Sequence, residues 1–127
     1  MRRKCAAIGI VLLLLATVCA AEQIIVHRLT NKVLDETRAL ISLIQSGDLE
    51  TAKKNAHALD RAWDRDAKKL EILVDHRSTD DVRYALSKLL AALQGEDAAA
   101  ALIYAGELEG GIEHVYERQA MTLENMF

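Results

Sequence analysis

At 127 residues the chain has room for one small domain once any targeting segment is set aside. It contains no proline, and alanine, leucine, glutamate, lysine and arginine dominate, a composition that favours helix. The formal net charge is −3, and setting aside Arg2, Arg3 and Lys4 leaves 13 basic against 19 acidic residues, which argues against a nucleic-acid binder with its basic face.

Aromatic residues make up only 4% of the chain. A core must then come from leucine, isoleucine, valine and alanine, enough for a helical bundle but poor material for an aromatic ligand cage.

Arg2-Arg3-Lys4 precedes an uncharged run from Cys5 to Ala21. As a signal peptide it has a basic start, a leucine-rich middle and small residues at Ala20 and Ala21 for cleavage. As a retained anchor it is slightly short, since a spanning helix takes roughly 20 apolar residues. Ile24-Ile25-Val26, just beyond Glu22-Gln23, can extend it. Both readings stand on these residues, and in each the basic end stays cytoplasmic while the remainder is exported. Cys19 follows Ala16-Thr17-Val18, where a lipid-attachment motif wants a small residue in place of Val18. Cys19 therefore reads as an ordinary small apolar residue. Both cysteines, Cys5 and Cys19, lie in this segment, so the exported part has no disulfide and is held by packing alone.

The expected first helix of the exported part runs from about Glu22 to Gln45, with Val26, Leu29, Val33, Thr37, Leu40 and Ile44 on one face. Ser46-Gly47-Asp48 ends it. Gly47 takes a left-handed conformation without steric cost, and Asp48 caps the next helix. That second helix, about Leu49 to Asp75, turns Ala52, Ala56, Leu59, Trp63, Ala67, Leu70 and Val74 inward. Spaced pairs such as Glu50–Lys54 and Asp64–Lys68 lace its outer face, each contributing about 0.2–0.5 kcal/mol. At 1.5 Å per residue it is roughly 40 Å long, matching the exported part of the first and suiting an antiparallel pair.

Ser78-Thr79-Asp80-Asp81 reads as a helix start, with hydroxyls to cap and carboxylates against the dipole. The third helix carries Val82, Ala85, Leu86, Leu89, Leu90 and Leu93 to about Gln94, where Gly95 stops it and Asp97 caps the fourth. The fourth covers Ala98 to about Glu124, with Leu102, Ala105, Leu108, Ile112, Val115, Gln119 or Ala120, and Leu123 inward. Gly106, Gly110 and Gly111 weaken it by up to about 1 kcal/mol each relative to alanine. A continuous helix with local weakness is expected there, not a phosphate-binding loop. The whole reads as all-α: a membrane or signal helix over 1–21, then an antiparallel bundle of about four helices over 22–127.

Trp63, the Leu70–His76 stretch ending in Asp75-His76, the acidic Asp80-Asp81, His114 and the closing Leu123-Glu124-Asn125-Met126-Phe127 together resemble domain-of-unknown-function family 4363. The resemblance covers essentially the whole chain and is most specific at the C-terminal ending. It implies a short bacterial protein with an N-terminal membrane segment and a helical remainder, and it implies no activity. Two departures stand out. Ser78 replaces an acidic residue two positions after His76, which weakens a carboxylate site there. Met126 replaces a more usual isoleucine, a mild packing change.

The best candidates for chemistry are His76 and His114, with Asp75, Glu113 and Glu117 as neighbouring carboxylates that could join them around zinc or a similar ion. His114 and Glu117 share a helix face. There is, however, no His-Glu-x-x-His, no Glu-x-x-His repeated on two helices and no exported cysteine. The preferred reading has His76 capping the carbonyls that end its helix and His114 bonding between helices. Trp63 and Tyr104 read as core or boundary residues and not as a cofactor site, Tyr84 and Tyr116 are left open, and Asn125 fixes the tail. Trp63, Leu70, Val74, Leu123 and Asn125 are thus structural.

The expected protein is a membrane-anchored or secreted helical bundle acting as a non-enzymatic accessory or interaction module. It has no cofactor, a protein partner and the membrane as a second contact. The alternative is a small extracytoplasmic sensor or metal-binding protein built on His76 and His114. Leu34, Leu43 and Leu73 lie off the main stripes and are candidates for a homodimer contact, because four thin helices make a small core.

Overall fold

The computed structural model describes residues 1–74 and 76–126, with the side chains of 73 and 119–126 outside the description. The elements are α1 (Arg2–Gln45), α2 (Leu49–Leu73), α3 (His76–Gln94) and α4 (Ala98–Met126), with no strand among the described residues. α1 passes from the apolar run into the bundle without a break. Residues 1–18 are exposed, and from Val26 onward the α1 stripe of Val26, Val33, Leu40 and Ile44 is buried.

Each helix packs chiefly on two neighbours: α1 and α3 both meet α2 and α4, most extensively on α4. Arg118 reaches Ser78 while Glu107 meets Lys88, so α3 and α4 run antiparallel. The result is an up-down-up-down bundle with short connections. Its core holds Leu59, Trp63, Leu70, Leu86, Leu89, Leu108 and Ile112, closed at the turn end by Ala52, Ala56, Ala101 and Ala105.

The two hairpins repeat one another. Adding 49 to a residue number carries α1–α2 onto α3–α4, and ten of the 33 positions from His27 to Leu59 then hold the same residue. These include His27/His76, Arg28/Arg77, Thr30/Thr79, Val33/Val82, Gln45/Gln94, Asp48/Asp97 and Leu59/Leu108. Burial follows the same register, since Thr30, Thr37, Leu40, Ile44 and Trp63 match buried Thr79, Leu86, Leu89, Leu93 and Ile112.

Both turns have the same bonding. Gly47 N–H donates to the Ile44 carbonyl and Asp48 N–H to that of Leu43, at 3.1 and 3.0 Å. Glu96 N–H and Asp97 N–H donate to Leu93 and Ala92 at 3.1 and 2.9 Å. This is the paired bonding of a left-handed helix ending. Asp48 then accepts from Thr51 N–H at 3.2 Å and Asp97 from Ala100 N–H at 3.1 Å, as expected of both caps. In the second turn Glu96, at φ 53°, takes the left-handed position, and Gly95 does not. The register of the repeat places it there, because Glu96 answers to Gly47, at φ 83°.

Other expectations are corrected. α2 ends at Leu73, where extended Val74 gives its N–H to the Leu70 carbonyl at 2.7 Å, and α3 begins at His76. Ser78 and Thr79 are therefore inside α3 and buried, not capping it. The Thr79 hydroxyl donates back to the His76 carbonyl at 2.8 Å, as Thr30 does to Val26 at 2.7 Å, so each threonine satisfies its hydroxyl within its own helix. No acidic residue falls in the first turn of α3, and the dipole argument for Asp80 and Asp81 lapses.

The outer-face pairs also change. Glu50 meets Lys53 at 3.7 Å, and Asp64 meets Arg83 of α3 at 3.8 Å, because a neighbouring helix competes for it. In α4 the buried position is Ala101, with Leu102 half-buried. The helix is continuous through its glycines, and only Gly111 faces a neighbour closely, a Cβ there lying 3.6 Å from Val82.

Candidate functional site

Trp63 and Leu70 are buried, at 1% and 0% exposure, and Val74 is half-buried against the core. The side chains of Leu123 and Asn125 lie outside the described residues, as does Asp75. His76 is exposed and is the first residue of α3, three places beyond the end of α2 at Leu73. His114 is exposed on α4, with Nδ1 3.5 Å from Glu117, its neighbour one turn on. Among the described residues its partner is Glu117 of the same helix, not another helix, and the ring lies beside a shallow groove shared with Asp81 and Tyr84 of α3. Among the described residues no three histidine, cysteine or carboxylate side chains gather as a metal site.

A second groove, of about 330 Å³, opens between α1 and α4 at the end of the bundle nearest the apolar run. Thr30, Leu34 and Ile112 form its floor. His27 and Asn31 of α1 face Glu113, Tyr116 and Glu117 of α4 across its rim. The rings of His27 and Tyr116 lie 5.3 Å apart, tilted by 51°. Asn31 Nδ2 donates to His27 Nε2 at 2.9 Å, which places the ring proton on Nδ1 and leaves the amide oxygen of Asn31 as an acceptor. Thr30 spends its hydroxyl on its own helix. Glu113 touches Arg38 at 3.7 Å, with both side chains about half exposed, so that pair holds weakly.

His27, Asn31 and Tyr116 do not announce themselves in the sequence, because none sits in a recognisable motif. The 49-residue offset singles out His27, which matches His76, while Asn31 and Tyr116 fall against Asp80 and Ala67. At the equivalent place between α2 and α3, Trp63 stands for Ile112 and the Arg83–Asp64 pair for Leu34 and Glu113. The indole of Trp63 is buried there, and the Arg83–Asp64 pair, at 3.8 Å, spans the two helices.

Of the remaining aromatics, Tyr104 is half-buried under Lys88, whose Nζ lies 5.7 Å from the ring centre, while Tyr84 is exposed. Leu34 and Leu43, expected as free dimer contacts, are half-buried against the core, and the Leu73 side chain lies outside the described residues.

Four antiparallel helices, one of them prolonged by an exposed apolar half, define a small helical-bundle protein with a membrane-length N-terminal segment. Residues 21–126 match the family model "Domain of unknown function (DUF4363)", and the chain belongs to that family. No curated protein and no solved structure matches the chain.

Proposed function

We propose that this protein is a membrane-anchored, extracytoplasmic helical module that acts by binding and not by catalysis. The observation that carries the reading is α1 itself. Its apolar window is long enough to cross a bilayer, none of that window is buried, and the same helix continues into the bundle core. An exposed row of Ile8, Ile10, Val11, Leu12, Leu13, Leu14 and Leu15 is costly in water and favourable in lipid. The basic Arg2-Arg3-Lys4 holds the N-terminus on the cytoplasmic side and the bundle outside. The binding role is supported by a scaffold of four packed helices that presents grooves.

The mass and fractionation of the native chain test the anchor. An intact chain that stays in the membrane after high-salt and alkaline washing is the expected result. A soluble chain beginning near Ala21 or Glu22 would replace it with a secreted bundle, and a chain beginning at lipid-modified Cys19 with a lipoprotein. The sensor reading built on His76 and His114 gains no support from their placement, since among the described residues no three ligands gather as a zinc site requires.

A further inference from the structure

The outer face of α2 ends up without the ion pairs its spacing offers. Glu50 turns to Lys53 and Asp64 to Arg83, so Lys54 and Lys68 hold no acidic partner among the described residues. Lys54, Arg61, Arg65 and Lys68 follow steps of seven, four and three residues, one stripe of a helix, with Lys69 beside it. All five are exposed, and none is in an ion pair among the described residues. Ala58 and Ile72, the latter 84% exposed, lie in the same stripe. The unpaired charge extends for roughly 21 Å along the helix. A face laced with its own salt bridges alternates in sign, and this one does not.

The complementary charge lies in the same chain. Residues 22–73 carry nine basic and nine acidic residues, while 76–127 carry four and nine, so the acidic excess belongs to the second hairpin. Within α4, Glu107, Glu109, Glu113 and Glu117 crowd three turns of helix. Lys88, Arg38 and His114 reach three of them, at 3.4, 3.7 and 3.5 Å, each pair at the surface. One lysine and one arginine against four carboxylates leave that face negative. Between the glutamates, Gly106 and Gly110 leave the backbone open, with nothing within 4 Å of an added Cβ. The aliphatic stem of an arginine fits across such a surface while its guanidinium reaches the carboxylates on either side.

α2 and α4 each pack on α1 and α3, so their outer faces lie on opposite sides of the bundle. A two-fold contact of α2 on α2 sets cation against cation, and one of α4 on α4 sets carboxylate against carboxylate. Only α2 on α4 matches. We propose that copies of this chain associate side by side, the basic stripe of α2 on one copy docked on the acidic face of α4 on the next. Because the two faces are opposed, the contact is head-to-tail and repeats into an open row. The inference rests on the membrane-anchored reading, which holds all copies at one height and in one orientation. α2 and α4 then run parallel, and the 49-residue repeat sets Arg61 level with Gly110, Arg65 with His114 and Lys68 with Glu117. Arg61 enters between Glu109 and Glu113, and Arg65 between Glu113 and Glu117.

Heavy-isotope and unlabelled full chains are mixed in phosphatidylcholine vesicles at low salt and treated with a carbodiimide that joins lysine to carboxylate. A ladder of dimers, trimers and larger products is expected, with mixed-isotope peptides joining residues 50–72 of one chain to 107–118 of another. Raising the salt to about 1 M, where the Debye length is about 3 Å, should cut the ladder several-fold. Arg61→Glu with Arg65→Glu abolishes the ladder, as does Glu113→Lys with Glu117→Lys, and an equimolar mixture of the two variants restores it. Both variants keep Lys54, Lys68, Glu107 and Glu109 for the reagent, so a lost ladder reports lost docking. All four substituted side chains are exposed, and unchanged circular dichroism verifies the fold. Vesicle-bound chains without a ladder overturn the row and leave the anchor standing, and products that stop at the dimer overturn the head-to-tail geometry. A ladder that survives Glu113→Lys with Glu117→Lys moves the acidic partner elsewhere and overturns the docking on α4. A chain that stays out of the vesicles overturns the anchor, and the row with it.

Discussion

Trp63 is the largest side chain in the core, and its Nε1 has no hydrogen-bond partner among the described residues. Two opposing contributions meet in it. The ring removes a large apolar area from water, while the buried N–H forgoes the hydrogen bonds it would make in solvent. Trp63→Ala should cost about 3–5 kcal/mol in urea unfolding, and a loss below about 1 kcal/mol would remove the ring from the core. Trp63→Phe keeps an aromatic ring and deletes the unpaired donor, so its cost should stay under about 1.5 kcal/mol. The inward direction of Trp63 is legible from the four- and three-residue steps of α2. The orphaned N–H is not, because it depends on which helices close around the ring.

At the scale of elements, the two turns offer a controlled comparison within one chain. Gly47 and Glu96 occupy the same left-handed position in turns with the same bonding. A non-glycine residue there carries a steric cost of about 1–2 kcal/mol, partly offset because glycine loses more entropy on folding. Glu96→Gly should therefore raise stability by about 0.5–1 kcal/mol, and Gly47→Ala should lower it by about 1 kcal/mol. Both are read from denaturant midpoints, and a destabilising Glu96→Gly would contradict the turn geometry.

Gly106 and Gly110 sit in mid-helix with nothing within 4 Å of an added Cβ. Each replacement by alanine should stabilise by about 0.5–1 kcal/mol. A decrease in thermal stability at either position would mean that α4 is bent or contacted there in a way the structure does not show. The helices, both aspartate caps and the left-handed Gly47 are legible from spacing and turn chemistry. Two element boundaries were not. Ser78 and Thr79 look like a helix start when read locally, yet they lie inside α3 because the chain repeats the His-Arg-x-Thr of α1, where the threonine is also interior.

For the whole molecule, the governing feature is a helix with two environments. α1 spans 44 residues, and only the half beyond Val26 has a buried stripe. Deleting residues 1–21 should release the chain from the membrane fraction and leave a helical bundle with cooperative thermal unfolding. That variant is checked by fractionation and far-ultraviolet circular dichroism, and loss of cooperative unfolding would show that the apolar segment contributes to the fold. The buried core runs from Val26 to Val115, which is why the deletion is expected to leave the bundle folded.

What the sequence by itself determined is whatever depends on neighbours along the chain: the all-α class, the number of helices, the apolar N-terminal run and the inward stripe of each helix. Helical periodicity and capping are local, and a residue three or four places away is enough to reveal them. Only the tertiary structure decided what depends on residues brought together from different helices. It took Asp64 from Lys68 and paired it with Arg83, buried Ser78 under Arg118, and left His76 and His114 exposed. It also formed the groove between α1 and α4 and buried Trp63 at the equivalent position between α2 and α3. The physical reason is that such contacts are set by the register between antiparallel helices. A one-turn slip of about 5.4 Å would preserve every stripe and change every partner.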